Sequence, residues 1–268
     1  MNKIEKLEFR RFSAKHHNAT RNWLIPIIYC SNSELFGIGD ASYLGEDERV
    51  IDEIKYLFET YYKGNDPLEN ETLWLNSYNN SMQRGGRISM TAISGLDIAL
   101  WDLKGKLLNQ PIYKLLGGSF RDNIMVYANG WYTNPGTPEQ NSVEAKKVID
   151  MGYKAIKFDP FGQKNFYKLS KEEFFLSESR IRKVRKAVGQ NIEILIEGHA
   201  KFNVMTAIKI SEMAKKYDPL FFEEPVSEEN ISELVNLKKH TNISIATGER
   251  LYSKFPFGEI IDKNAADV

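Results

Sequence analysis

Hydrophobic and polar positions along the chain follow two regimes that change near residue 120. In the first, Ile4–Phe12 and Trp23–Cys30 are rich in β-branched and aromatic residues and read as strands, joined by the polar stretch Ser13–Asn22. Gly37-Ile38-Gly39-Asp40 reads as a turn. Helical patterns follow at 46–63 and about 88–108. The second sets Ile88, Ala92, Leu96, Ala99 and Leu103 on one stripe, which Ile93 and Leu100 widen. Asn109-Gln110-Pro111 closes it, and a helical turn over Ile112–Leu116 stops at Gly117-Gly118.

Beyond residue 120, short apolar runs alternate with amphipathic ones. Strands are expected at 124–130, 155–161, 192–198, 220–226 and 243–249, with helices near 138–151, 171–188, 204–216, 228–240 and 256–265. Near-continuous apolar strands separated by helices predict a parallel sheet covered by helices. The fold class is therefore α/β, with an N-terminal α+β domain over residues 1–120 and a partial β/α barrel over 121–268. A closed eight-stranded barrel takes roughly 200 residues or more. Five strands, with Asp267-Val268 opening a sixth, make an incomplete one. An open barrel exposes strand edges and an apolar wall, so either the chain is a fragment or something else completes it.

Composition narrows the function classes. Lysine plus arginine and aspartate plus glutamate both number 36, which gives no electrostatic reason to expect nucleic acid or an anionic membrane as partner. Cys30 is the only cysteine, so no disulfide forms within one chain. The first residues lack the apolar core of a signal peptide, and the most apolar run, Trp23–Cys30, is far below the roughly 20 residues of a membrane span. A cytoplasmic protein is the expectation. Gly37-Ile38-Gly39 lacks the third glycine of a dinucleotide fingerprint. Gly85-Gly86, between Arg84 and Arg87, is either a solvated turn or a basic loop that closes on an anionic substrate.

The candidate chemistry lies at the ends of the barrel strands. Glu197, Glu223 and Glu249 each follow a buried run, and the intervals 197 to 223 and 223 to 249 are both 26 residues. One strand-helix unit apart, the three carboxylates can share the C-terminal rim, where β/α barrels carry their chemistry. Carboxylates crowded there resist ionisation unless a cation joins them, and Mg²⁺ prefers such oxygen ligands. The alternative is three solvated caps. His199, two residues past Glu197, is placed on the same face of an extended segment, as a proton donor or as a capping or core histidine. Lys157 and Asp159 alternate onto one face of the second strand. Lys157 there suits a substrate carboxylate, or a salt bridge to a rim acid. Arg250 is functional or an ion-pair partner. His16 and His17 sit in the polar stretch, and His240 ends a helix in solvent.

At these residues the sequence resembles the enolase superfamily, in its mandelate racemase-like branch. The resemblance covers essentially the whole chain and rests on AISGLDIALWDLKGKLLNQPIYKLLGG (92–118), KAIKFDPFG (154–162), ILIEGHAKFN (194–203), FFEEPV (221–226) and TGERL (247–251). VYANGWY (126–132), KFDPFG and the Glu-Gly-His-x-x-Phe pattern look most like archaeal gluconate dehydratases and related galactonate-type sugar-acid dehydratases. The resemblance implies a capping domain and an enolase-type modified TIM barrel, here truncated after the fifth or sixth strand. It also implies Mg²⁺ on Glu197, Glu223 and Glu249, and elimination of water from an aldonate to a 2-keto-3-deoxy acid. His199 matches the general acid of galactonate dehydratase-like members.

Two departures qualify it. Many relatives carry Lys-x-Lys on the second barrel strand, whereas here the segment reads Lys157-Phe158-Asp159. No histidine follows Glu249, so the C2 base is not named. The alternatives are a truncated or split inactive member, and a racemase or cycloisomerase of the same superfamily. The partner is expected to be a small sugar acid. A homo-oligomer, or a second chain completing the barrel, is the expected assembly. Loops around 15–22, 39–46 and 81–88 are expected to choose the substrate.

Overall fold

The computed structural model describes residues 2–16, 19–31, 34–43, 45–79, 84–162 and 167–268. His17 and parts of the three expected substrate loops lie outside the described residues. The chain divides into two units, Met1–Asp122 and Asn123–Val268.

The first unit opens with an antiparallel ribbon, β1 (Ile4–His16) on β2 (Ala19–Cys30), edged by β3 (Phe36–Ile38). Two expectations fail here. The described part of the polar stretch is ladder, not linker: Ser13 pairs with Asn22, Ala14 with Arg21 and Lys15 with Thr20. Backbone pairing holds a ribbon solvated on both faces, so no period-2 pattern marks it. The Gly37 region is a strand and not a turn, because it lies flat against a helix: a Cβ on Gly37 would collide with the Ala99 carbonyl. α1 (Asp47–Leu57) runs into a π turn at Phe58–Tyr62. α2 (Asn70–Tyr78) carries no clear apolar stripe and escapes the sequence pattern. α3 (Arg87–Leu107) buries Ala92, Ile93, Leu96, Ala99, Leu100 and Leu103, the stripe the sequence shows, and α4 (Ile112–Leu115) follows.

The second unit alternates helices and parallel strands: α5 (Pro138–Asp150), β4 (Ala155–Phe158), α6 (Lys171–Val188), β5 (Glu193–Glu197), α7 (Val204–Ala214), β6 (Phe221–Glu223), α8 (Ile231–Lys238), β7 (Ile245–Ala246) and α9 (Lys254–Asp262). The helix starts are written in the sequence. Thr137 and Gln140 close a capping box with Pro138 in the first turn, and Ser170, Asn203 and Asn230 accept N–H bonds at their own helix N-termini. The sheet order is β4-β5-β6-β7. The run 124–130 is not a strand; it contributes one bridge, Ala128 to Ile156, and Ile124, Met125 and Val126 are exposed. Asp267 and Val268 hydrogen-bond to Ile245 along the outer edge of β7.

Alternation sorts the sheet into two faces. Ile156, Phe158, Ile194, Ile196, Phe222 and Ile245 join the core under the helices. Ala155, Leu195, Phe221 and Ala246 form a smaller cluster on the opposite face. Farther along the strands, that second face changes from apolar to ionic: Lys157, Glu197 and Glu223 occupy the alternate positions there. Among the described residues no helix is long and apolar enough to cross a membrane.

Candidate active site at the strand ends

Parallel pairing sets Glu197 level with Glu223. Lys157 Nζ, on the neighbouring strand, lies 3.0 Å from Glu197 Oε2 and 2.7 Å from Glu223 Oε2, and 5.6 Å from the centre of the Tyr127 ring. All three ionic side chains are largely buried. Burial disfavours the Lys157 ammonium, but hydrogen bonds and charge from both glutamates outweigh it and raise the lysine above its usual range. For Glu223, burial and the neighbouring Glu197 charge prevail over Lys157 and raise its carboxyl. Of the two readings left open for Lys157, the salt bridge to rim acids is the one observed.

Glu249 stands apart. Glu223 is level with Ala246, three residues before Glu249, and β7 ends at Ala246. Past β7 the chain turns at Gly248, φ 132°, and Glu249 lies in the turn that the Leu251 N–H closes on the Gly248 carbonyl. Equal sequence intervals do not give equal settings: Glu197 and Glu223 end their strands, whereas Glu249 follows the end of β7 by three residues. Glu249 is half exposed and 3.5 Å from Arg250, whose Nε donates to the buried Glu224 carboxylate at 2.8 Å. Among the described residues no group of three or more His, Cys, Asp and Glu side chains could hold a metal ion as placed. Glu197 and Glu223 fit a hard divalent cation by donor type, adjacency and burial; Glu249 in this placement does not complete the set.

His199 approaches by a different route from the one its spacing suggests. The strand ends at Glu197, and His199 and Ala200 both adopt left-handed backbone, with φ of 51° and 54°. The His199 N–H then donates to Glu197 Oε1 at 2.8 Å. Glu224, φ 41°, is the third left-handed non-glycine residue at these strand ends. Gly198 allows the two turns to touch: a Cβ there would lie 2.5 Å from the Glu224 carbonyl. The His199 ring bonds through Nδ1 to Asp159 Oδ2 at 2.9 Å. Burial lowers the imidazole, but the Asp159 bond and the Glu197 and Asp159 charges raise it on balance, with Lys201 opposing them.

Asp159 accepts two further bonds, from the Phe161 N–H at 2.8 Å and Lys201 Nζ at 2.6 Å. Burial raises its carboxyl; His199, Lys201 and the Phe161 amide together bring it below the usual range. Lys201 also donates to the Gly162 carbonyl at 2.6 Å, and buried Arg180 joins this loop, through the Pro160 carbonyl, to the segment before α5, through the Gly136 carbonyl. The spacing reading missed Lys201, although the sequence alternation 197, 199, 201 contains it. It missed Tyr132 as well, whose phenol burial pushes up to about 12, against a hydrogen bond from the Asp159 backbone and with charge from Asp159 and Glu197 adding to the rise. His240 is exposed, as expected, with Nδ1 2.8 Å from the Asn236 carbonyl.

Comparison with known proteins agrees with this architecture. Residues 141–268 match the enolase C-terminal domain-like model, and residues 18–117 match the mandelate racemase/muconate lactonizing enzyme N-terminal domain. The D-gluconate dehydratase of Thermoproteus tenax is 45% identical over 62% of this chain and 33% of its own length. The D-galactonate dehydratase of Ralstonia pickettii is 30% identical over 82% of this chain and 56% of its own length. The chain thus spans about a third to just over half of the curated relatives it matches. Among solved structures, a protein from Mesorhizobium loti superposes with a TM-score of 0.89 at 30% identity, covering 98% of this chain and 71% of that one. A member of the enolase superfamily from Salmonella Typhimurium superposes with a TM-score of 0.88 at 28% identity, covering 99% and 73%. Both domain models, in sequence and in order, with this structural likeness across nearly all residues, establish that the chain belongs to the mandelate racemase/muconate lactonizing enzyme family of the enolase superfamily.

Proposed function

We propose that the chain carries the acid side of a Mg²⁺-dependent sugar-acid dehydratase, acting on a gluconate- or galactonate-type aldonate. The observation that carries this reading is the His199–Asp159 pair standing beside Glu197 and Glu223. Glu197 and Glu223 would hold the cation, and Glu249 would have to leave its present placement beside Arg250 to join them. When bound, Mg²⁺ supplies positive charge for a substrate carboxylate. The reaction removes the C2 proton and expels the C3 hydroxyl; the enol so formed becomes the 2-keto-3-deoxy acid. A leaving hydroxyl needs a proton, and His199, when protonated on both nitrogens and anchored at Nδ1, gives up the Nε2 proton and is left as the neutral Nδ1–H ring. Lys157 holds the two glutamates in register.

Asp159 is a positioning residue in this scheme. Its carboxylate already accepts three bonds, which leaves it a poor base. That observation favours dehydration over racemisation, which needs a base on each face of the substrate. The test is incubation of the purified protein with Mg²⁺ and a panel of aldonates. A 2-keto-3-deoxy acid product supports the reading, and none from any substrate overturns it for this polypeptide.

A further inference from the structure

Asp159 Oδ2 is shared: Lys201 Nζ lies 2.6 Å from it and His199 Nδ1 2.9 Å from it. The Lys201 side chain is 4% exposed, and its second bond, to the Gly162 carbonyl, fixes it from the other side. An ammonium has donors only, so the oxygen it meets presents lone pairs. A carboxylate in that state has no proton to give to His199. The bond between Asp159 and the ring therefore runs from Nδ1–H to oxygen.

We propose that Lys201 is a positioning residue for His199: by holding Asp159 as a pure acceptor, it fixes the ring as the Nδ1–H tautomer and keeps Nε2 for proton transfer. Buried beneath Asp159, Lys201 acts through that carboxylate. The inference rests on His199 being the proton donor, but its structural half is measurable without turnover. Arg180, a buried cation of α6, bonds to the Gly136 and Pro160 carbonyls and not to Asp159. It holds the loop, and Lys201 sets the direction of the hydrogen bond.

The experiment is long-range ¹⁵N–¹H correlation of the imidazoles in the full chain at a pH where His199 is neutral. Only four histidines are present, and His199→Asn identifies the signal. Wild type is expected to show Nδ1 protonated and Nε2 bare. Lys201→Met, checked for folding by circular dichroism, is expected to give a mixture of tautomers, and Lys201→Arg to restore the single one. An unchanged Nδ1–H tautomer in folded Lys201→Met overturns the proposal. Should the methionine variant not fold, Lys201→Gln is read in its place, with the same two outcomes. In turnover, Lys201→Met is expected to lower kcat at least tenfold with KM within twofold of wild type. An inactive wild type with the expected tautomers would reject the dehydratase reading alone.

Discussion

Glu197 and Glu223 are register partners on adjacent parallel strands, and their carboxylates converge on one ammonium, that of Lys157. Two buried anions held by a single cation make this site sensitive to any change in its positive charge. Removing the lysine leaves like charges uncompensated in a desolvated place. Lys157→Met should destabilise the protein by roughly 3–5 kcal/mol in urea denaturation. Mg²⁺ should recover more stability in the variant than in wild type, since cation and lysine answer the same charge. Equal Mg²⁺ effects on both proteins would reject the shared-charge account.

The different settings of the three glutamates, two paired on strands and one in the turn past β7, predict unequal contributions to cation binding. Glu197→Gln and Glu223→Gln should each weaken Mg²⁺ binding by tenfold or more in calorimetric titration. Glu249→Gln, outside the paired row and in contact with Arg250, should weaken it less. A Glu249 effect as large as the other two would mean that this side chain joins the site when the ion binds.

Gly198 lets the turns after β5 and β6 pack against each other. A methyl at this position meets the Glu224 carbonyl at 2.5 Å and the Pro225 Cα at 3.0 Å, both backbone groups. Gly198→Ala should cost roughly 1–3 kcal/mol, the usual range for overpacking. It should also perturb the His199 amide resonance, because that N–H bonds to Glu197 across the same turn. A variant as stable as wild type with an unmoved amide would show that the turns part without cost.

In the first unit, burial followed by the charge of Glu71 raises the Asp97 carboxyl from an ordinary 3.8 to about 6. The folded state thus prefers the protonated acid, and this preference stabilises fully below pH 3.8. It is lost as pH rises through about 6. Asp97→Asn should therefore be near neutral in stability below pH 4 and stabilising above pH 6, by roughly 2–3 kcal/mol. Urea denaturation across that range checks it. A gain independent of pH would assign the effect to packing.

Ile124, Met125 and Val126 are 79%, 60% and 65% exposed, on a segment that makes one bridge to the sheet. A polypeptide of residues 1–268 should bind a hydrophobic fluorophore such as ANS at this patch. Replacing Ile124 and Val126 by Asp should reduce the fluorescence by half or more without loss of helical circular dichroism. Undiminished fluorescence would place the dye elsewhere.

Periodicity and capping made much of the frame legible in the sequence. The stripe of α3, the box at Thr137–Gln140 and the run Ile192–Ile196 leading to Glu197 are local patterns, fixed by which side chains suit a helix turn or a buried strand. The sequence likewise named the residue types that can do chemistry and set Glu197, His199, Lys157 and Asp159 near strand ends. What it could not decide was height, direction and partnership, because these depend on register between strands distant in the chain. Register brings Glu223 level with Glu197, whereas Glu249 lies in the turn past the end of β7. A left-handed turn, where an extended segment was expected, brings His199 back to Glu197. Only the folded chain shows that Lys201 lies behind Asp159, since burial of a lysine beside a carboxylate is a property of the packed loop and not of its spacing.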